Sequence, residues 1–215
     1  MAKVLFVEAL RKNVDIPKDI SSILSKLPKK LYLVYTIQYK RYAQKIKELM
    51  SKSSDFEIKG FTQILGCANL KTDADAILLI GSGRFHALEM ALMSGKEVYI
   101  LENDKLNKIT KQEIDQYYKN RKTQLMKFYA SDKIGIIVSL KPGQCNMKQA
   151  LHFSEKLKEK GKQPYIFVEN FIDIRELENF PIDSWINTAC PGLELDNGML
   201  NLRDMNEFIK EDNKQ

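Results

Sequence analysis

Short continuous apolar runs alternate along this chain with longer stretches whose apolar positions return at helical spacing. VLFVEAL (Val4 to Leu10) is the first such run, and IPKDISSILSKL follows it with Pro17 at an early helical position. LYLVYTI (Leu31 to Ile37), β-branched and aromatic, predicts a strand, and a lysine-rich helix follows to about Lys52. FEIKGF is a weak strand, AILLIGSG (Ala76 to Gly83) the strongest in the chain, and EVYILE (Glu97 to Glu102) another. The polar segment from Asn103 to Ser131 reads as mostly helical and links two halves.

The second half repeats the plan. IGIIVSL (Ile134 to Leu140) predicts a strand, and Asn146 to Lys160 a helix closed by Gly161. PYIFVEN is a strand, Ile174 to Glu178 a short helix, SWINTAC the last strand, and RDMNEFIKE a short helix beyond it. Continuous apolar strands between amphipathic helices predict an α/β protein with parallel sheets covered on both faces. The expected architecture is two tandem α/β domains, residues 1–108 and 109–215, each a parallel sheet flanked by helices. In such sheets ligands gather outside the carboxyl ends of the strands.

Composition narrows this little. At 215 residues, 44% hydrophobic and 29% charged, the chain reads as a globular protein with a real core. No apolar run approaches the ~20 residues that cross a bilayer, and MAKVLFVEAL lacks the pattern of a signal peptide, so a cytoplasmic address is expected. The net charge is +6, carried mostly by lysines scattered over helix-like segments such as KRYAQKIKELMSK, which describes a solvated surface. An RNA-binding face is the competing reading of that charge. No arginine-rich tract, RNP-like aromatic pattern or zinc-finger spacing supports it, so no direct nucleic-acid partner is expected. Three cysteines do not make a disulfide framework in that compartment; they are free thiols, reactive thiols or ligands.

Those cysteines all fall in turns past predicted strands: Cys67 in QILGCANLK, Cys145 in KPGQCNMK and Cys190 in NTACPG. Structural cysteines more often fill apolar interiors, so the placement points toward ligands. The spacing matches no zinc ribbon, redox pair or ferredoxin run, so on the residues alone three unrelated buried thiols is preferred to a shared metal or cluster site. A fourth feature is Gly81-Ser82-Gly83-Arg84-Phe85-His86, where a strand ends in Gly-Ser-Gly and a helix begins. Backbone N–H groups at that helix start attract a carboxylate or phosphate. The third glycine of a dinucleotide fingerprint is absent, since His86 stands there. A tight turn requiring glycine dihedrals explains the same residues without a ligand. Gln144 follows a Pro-Gly turn and could orient a ligand, or simply belong to that turn. His152 reads as surface or helix packing.

Taken in order, QILGC, LLIGSGRFHALEMALMSGKEVYIL, KIGIIVSLKPGQ and FPIDSWINTACPGLELD resemble the archaeal diphthamide synthase family, the 2-(3-amino-3-carboxypropyl)histidine synthases. The resemblance runs from Val4 to Asp196. It implies a family in which three homologous α/β domains each offer one cysteine to a [4Fe-4S] cluster. S-adenosylmethionine binds the unique iron, its Cγ–S bond is cleaved, and the resulting 3-amino-3-carboxypropyl radical adds to a histidine of translation elongation factor two. By resemblance, Cys67 is the ligand from the middle domain and Cys190 the ligand from the last. Gly81 to His86 and Gln144 then belong to the substrate-binding wall.

Several departures accompany the resemblance. No counterpart of the family's first domain precedes Val4, so the first cysteine ligand has none either. Gly192 stands where the family has an arginine after Ala-Cys-Pro, Asn146 lies near the place of a basic residue, and Ala87 replaces a commoner proline. Two repairs follow. A second chain supplies the missing domain and its cysteine, or Cys145 supplies the third thiolate. The first is preferred, because the family builds its site from equivalent positions and Cys145 is not at one. A non-catalytic subunit that scaffolds the cluster or docks the elongation factor is the alternative to a transferase.

Overall fold

The computed structural model describes residues 7–12, 15–64, 70–190, 192 and 198–205. It divides into two compact units, Met1–Asp115 and Gln116–Gln215. Both are α/β, with mostly parallel sheets.

The first unit holds α1 (Ile20–Leu24), β1 (Lys30–Tyr35), α2 (Lys40–Lys52), β2 (Glu57–Gln63), β3 (Ala76–Ile80), α3 (Arg84–Ser94), β4 (Glu97–Glu102), β5 (Lys105–Lys108) and the start of α4 (Lys111–Ala130). Its sheet runs β2-β1-β3-β4-β5. Every side chain of β3 is buried, because the strand is central and covered on both faces. Alternation then sorts the core. Leu31, Leu33, Leu78 and Ile80 pack with α1 and α2 on one face, and Val34, Ile77 and Leu79 pack with Ala87, Met90 and Ala91 of α3 on the other. The chain steps from β1 to β2 on one side and then to β3 on the other, so the strand order reverses between β1 and β3. That is the topological switch point of a doubly wound sheet.

The second unit holds the rest of α4, then β6 (Lys133–Ser139), α5 (Met147–Glu159), β7 (Gln163–Glu169), α6 (Ile174–Leu177), β8 (Ser184–Asn187) and β9 (Leu200–Asn201). Its sheet is parallel, in the order β7-β6-β8-β9. Phe128 of α4 and Ala150, Phe153 and Leu157 of α5 cover one face against Ile134, Ile136 and Val138. The other face is thinner, with Leu177 and Met199 over Ile137. Gly135 lies opposite Trp185 in the β6–β8 ladder, and a Cβ there would stand 2.3 Å from the indole ring.

The structure corrects several expectations. Val7 to Leu10 form no strand, and Val7 is 81% exposed, so this apolar run meets no neighbouring strand; Val4 to Phe6 lie outside the described residues. The helix expected across IPKDISSILSKL is confined to Ile20–Leu24. Asn103 to Ser131 is not helical at its start: β5 pairs antiparallel with β4 through a two-residue turn in which Asn103 adopts φ +58°. Asparagine tolerates that left-handed geometry, which permits the hairpin. The last predicted strand stops at Asn187, short of Cys190, because the Asn187 side chain turns the backbone out of the ladder. RDMNEFIKE contributes only the end of a 3-10 turn, Leu202–Met205, and its continuation lies outside the described residues.

Candidate functional site

Past β3, Gly81 passes so close to Thr36 that a Cβ would lie 2.6 Å from the threonine Oγ1. Gly83 has φ +103°, a conformation open to glycine and strained for other residues. Together they let the chain leave the sheet and start α3 within three residues. No acidic residue lies in the first turn of α3, and Gly83 offers no side-chain cap, so nothing in its own first turn neutralises the helix's positive end.

Arg84 is already engaged. Its guanidinium forks onto the Glu113 carboxylate, with Nη2 to Oε2 at 2.7 Å and a second contact through Nε, and it also donates to the Lys108 carbonyl at 3.2 Å. Glu113 is held from its own helix as well. Its Oε2 accepts from the Thr110 amide at 2.8 Å and the Thr110 hydroxyl at 2.7 Å, while the Glu113 amide donates back to Thr110 Oγ1 at 3.3 Å. This reciprocal pair is a capping box at the start of α4. The arginine, with Thr110, pulls the Glu113 pKa down to about 2 from 4.5. A depressed carboxylate stabilises the fold above the unfolded-state value, and that contribution is lost as pH falls from 4.5 toward 2. With Arg84 half exposed, solvent screening leaves about 1 kcal/mol. Glu113→Gln is therefore expected to lower the melting temperature at pH 7 and to match the parent below pH 2, read by thermal denaturation across pH. Equal melting temperatures at pH 7 would exclude a stabilising fork.

Phe85 and His86 complete the turn, their rings 5.0 Å apart. His86 is half buried, and burial lowers its pKa against the opposing pull of Glu89. Its Nδ1 has no hydrogen-bond partner among the described residues. Cys67, expected past β2, lies outside the described residues.

The second unit places its candidates at one end of its sheet. Gln144 and Cys145 follow β6 through a tight turn in which Gly143 has φ +78° and the Gln144 amide donates to the Lys141 carbonyl at 3.0 Å. Gln144 is half buried, Cys145 is exposed and free, and Cys190 is half buried and free. Cys190 lies past β8, which is hydrogen-bonded to β6. His152 is exposed on α5.

A buried polar network that the sequence did not announce shapes the Cys190 turn. Asn187, 2% exposed, accepts the Ala189 amide at 2.8 Å and donates to the Cys190 carbonyl at 2.7 Å. The same Nδ2 donates to Asn201 Oδ1 at 3.0 Å. Thr188 ties back to the Ile137 carbonyl through its hydroxyl at 2.7 Å, and its own carbonyl accepts Asn146 Nδ2 at 2.6 Å. Asn146, which stands near the place of an expected basic residue, thus links the Cys145 turn to the Cys190 turn. An Asx turn of this kind explains why a strand ends in Asn-Thr-Ala-Cys: the asparagine side chain replaces the ladder partners the backbone loses. Among the described residues, no group of three or more His, Cys, Asp or Glu side chains is placed to hold a metal ion. Among them, too, no helix is long and apolar enough to cross a membrane.

Two doubly wound units, with glycine and cysteine turns at their strand ends, define a tandem α/β protein whose candidate chemistry sits in loops rather than in its cores. The chain belongs to the family described as "Putative diphthamide synthesis protein", whose model matches residues 1–202. It is 30% identical over 206 residues to the 2-(3-amino-3-carboxypropyl)histidine synthase of Pyrococcus horikoshii, covering 91% of this chain and 58% of that protein. It is also 30% identical to the synthase of the same name from Methanocaldococcus jannaschii, over 92% of this chain and 58% of that one. The crystal structure of Dph2 from Pyrococcus horikoshii with a 4Fe-4S cluster superposes with a TM-score of 0.76 at 27% identity, covering 90% of this chain and 60% of that one. The chain therefore spans less than two thirds of these relatives.

Proposed function

We propose that this chain takes part in transferring a 3-amino-3-carboxypropyl group from S-adenosylmethionine to a histidine of translation elongation factor two, the first step of diphthamide biosynthesis. The observation that carries the reading is the Cys190 turn: a free, half-buried thiol presented by a fully hydrogen-bonded asparagine, in a chain whose relatives bear the synthase name. Cys67 and Cys190 are the proposed ligands of a [4Fe-4S] cluster. Soft thiolates suit such a cluster, and Cys190 fits, because its turn holds the backbone without using the sulfur. A bound cluster, reduced by an external one-electron donor, would supply the electron that opens the Cγ–S bond of the sulfonium. The turn Gly81 to His86 and Gln144 form the proposed substrate wall. The +6 charge steers acidic regions of the elongation factor toward the protein, and the cytoplasm is the proposed setting.

The third thiolate comes from a partner chain resembling the domain the longer relatives have in addition, with Cys145 as the competing source. Anaerobic reconstitution with iron and sulfide separates these. With the partner present, Cys145→Ala is expected to load a full complement of iron; loss of iron in that variant rejects the partner as the source.

A second reading is a non-catalytic subunit that scaffolds the cluster or docks the factor. It is favoured by an Arg84 already committed to Glu113. A colourless chain after anaerobic purification supports the factor-docking form of that reading over the transferase.

A further inference from the structure

The stretch that carries Cys190 leaves the second sheet after Asn187 and rejoins it at Leu200–Asn201, so its two ends meet in one rung of the β8–β9 ladder, Asn187 against Asn201. The rung is closed by side chains as well. Asn187 Nδ2 donates to Asn201 Oδ1 at 3.0 Å and to the Cys190 carbonyl at 2.7 Å, and the two asparagines are only 2% and 3% exposed. Where Asn201 sits therefore decides where Asn187 can hold the Cys190 turn.

Among the described residues β9 is two residues long and pairs only with β8, too little ladder to fix itself. The helix α4 presses it into place. Leu125 and Phe128 share an apolar cluster with Leu200, Leu202 and Met205. Gln124 lies so close to Gly198 that a Cβ there would stand 2.9 Å from its Nε2. Arg121, one turn earlier on the same face, donates from Nη2 to Asp204 Oδ1 at 2.8 Å, and Asp204 Oδ2 accepts the Asn201 amide at 3.3 Å. The Asp204 side chain is 4% exposed, and a carboxylate so deeply buried depends on its countercharge. A line of polar contacts thus runs from the half-buried Arg121 through Asp204, Asn201 and Asn187 to Cys190.

We propose that Arg121 is a positioning residue for Cys190, acting from α4 by clamping β9 through Asp204. This rests on Cys190 as a cluster ligand, because a ligand thiolate has to be presented at a fixed place when the cluster assembles.

The full chain without iron is the material for the test. Alkylation with iodoacetamide, resolved by peptide mass, gives the rate at Cys190, and NMR hydrogen exchange follows the amides around it. Arg121→Met keeps an apolar stem and removes the charge. It is expected to raise the Cys190 rate about five-fold, through local opening of a loop that has lost a charge-assisted bond. The Ala189 and Asn201 amides should exchange faster, while those of β6 keep the parent's protection. Arg121→Lys preserves the ion pair and should stay within about two-fold of the parent.

An unchanged Cys190 rate in Arg121→Met overturns the proposal. So does faster exchange along β6 in the same variant, which would make Arg121 a general stabiliser of the unit. A lysine variant no slower than the methionine one overturns the ion pair as the cause. None of these measurements involves iron, so they stand apart from the Cys190→Ala reconstitution that tests the ligand itself.

Discussion

Cys190→Ala and Cys67→Ala are each expected to abolish iron–sulfur loading and turnover while leaving the circular dichroism and melting temperature close to those of the parent. For Cys190 the reason lies in its turn. The turn is held by Asn187, which bonds the Ala189 amide and the Cys190 carbonyl, so removing the sulfur leaves the backbone bonds in place. Cys190 is half buried, and its truncation to alanine removes one atom from no apolar cluster. The effect on chemistry is then large and the effect on stability small, a separation a purely packed cysteine would not show. Iron content after anaerobic reconstitution, together with visible absorption, measures the first, and a thermal melt the second. Iron retained at the parent's level in either variant removes that residue from the ligand set.

Gly135→Ala is expected to be among the most damaging single changes in the second unit. The new methyl would stand 2.3 Å from two atoms of the Trp185 ring, a distance no packed side chain tolerates. Gly135 sits inside β6, paired on both sides with Tyr165 and Trp185, so the backbone cannot shift without breaking two ladders. Trp185 is itself wedged edge-on against Phe167 at 4.8 Å, and that ring against Phe180 at 4.7 Å, which limits the indole's retreat. Overpacking of this kind costs about 3 kcal/mol. Urea denaturation gives the number. Combining the change with Trp185→Leu should recover part of the loss if the collision is the cause, and additive losses in that cycle would place the damage elsewhere.

The sequence made the layered α/β plan legible because central strands such as AILLI are apolar on every residue, and only burial on both faces explains that. It also placed the glycine turn, Cys145 and Cys190 past strand ends, while Cys67 lies outside the described residues. It misled where an apolar run lacked a partner, as at Val7, and where a hairpin carried no glycine, as at Asn103-Asp104. The Asn-Asp pair between EVYILE and KLNK was the available sign. The residues that build the candidate sites were harder to see. Asn187, Thr188 and Asn146 are ordinary polar residues in the sequence, and they matter because strands β6 and β8 bring their side chains within bonding distance. Arg84 shows the opposite error. In the motif it looks available to an anion, and only Glu113, 29 residues on, shows that it is taken.

The open margins of the two sheets have one more consequence, for aggregation. Among the described residues β2 and β7 are paired on one side only, and an unpaired strand is a template on which another chain could polymerise. The β2 margin is studded with charge, Lys59 bridging Glu57 and Asp73. At β7 the Gln163 amide points inward to the Asp132 carbonyl at 2.8 Å, so the next amide would face outward. That residue is Pro164, which has no N–H to offer, and the row of donors that fibril growth needs is broken at its second step.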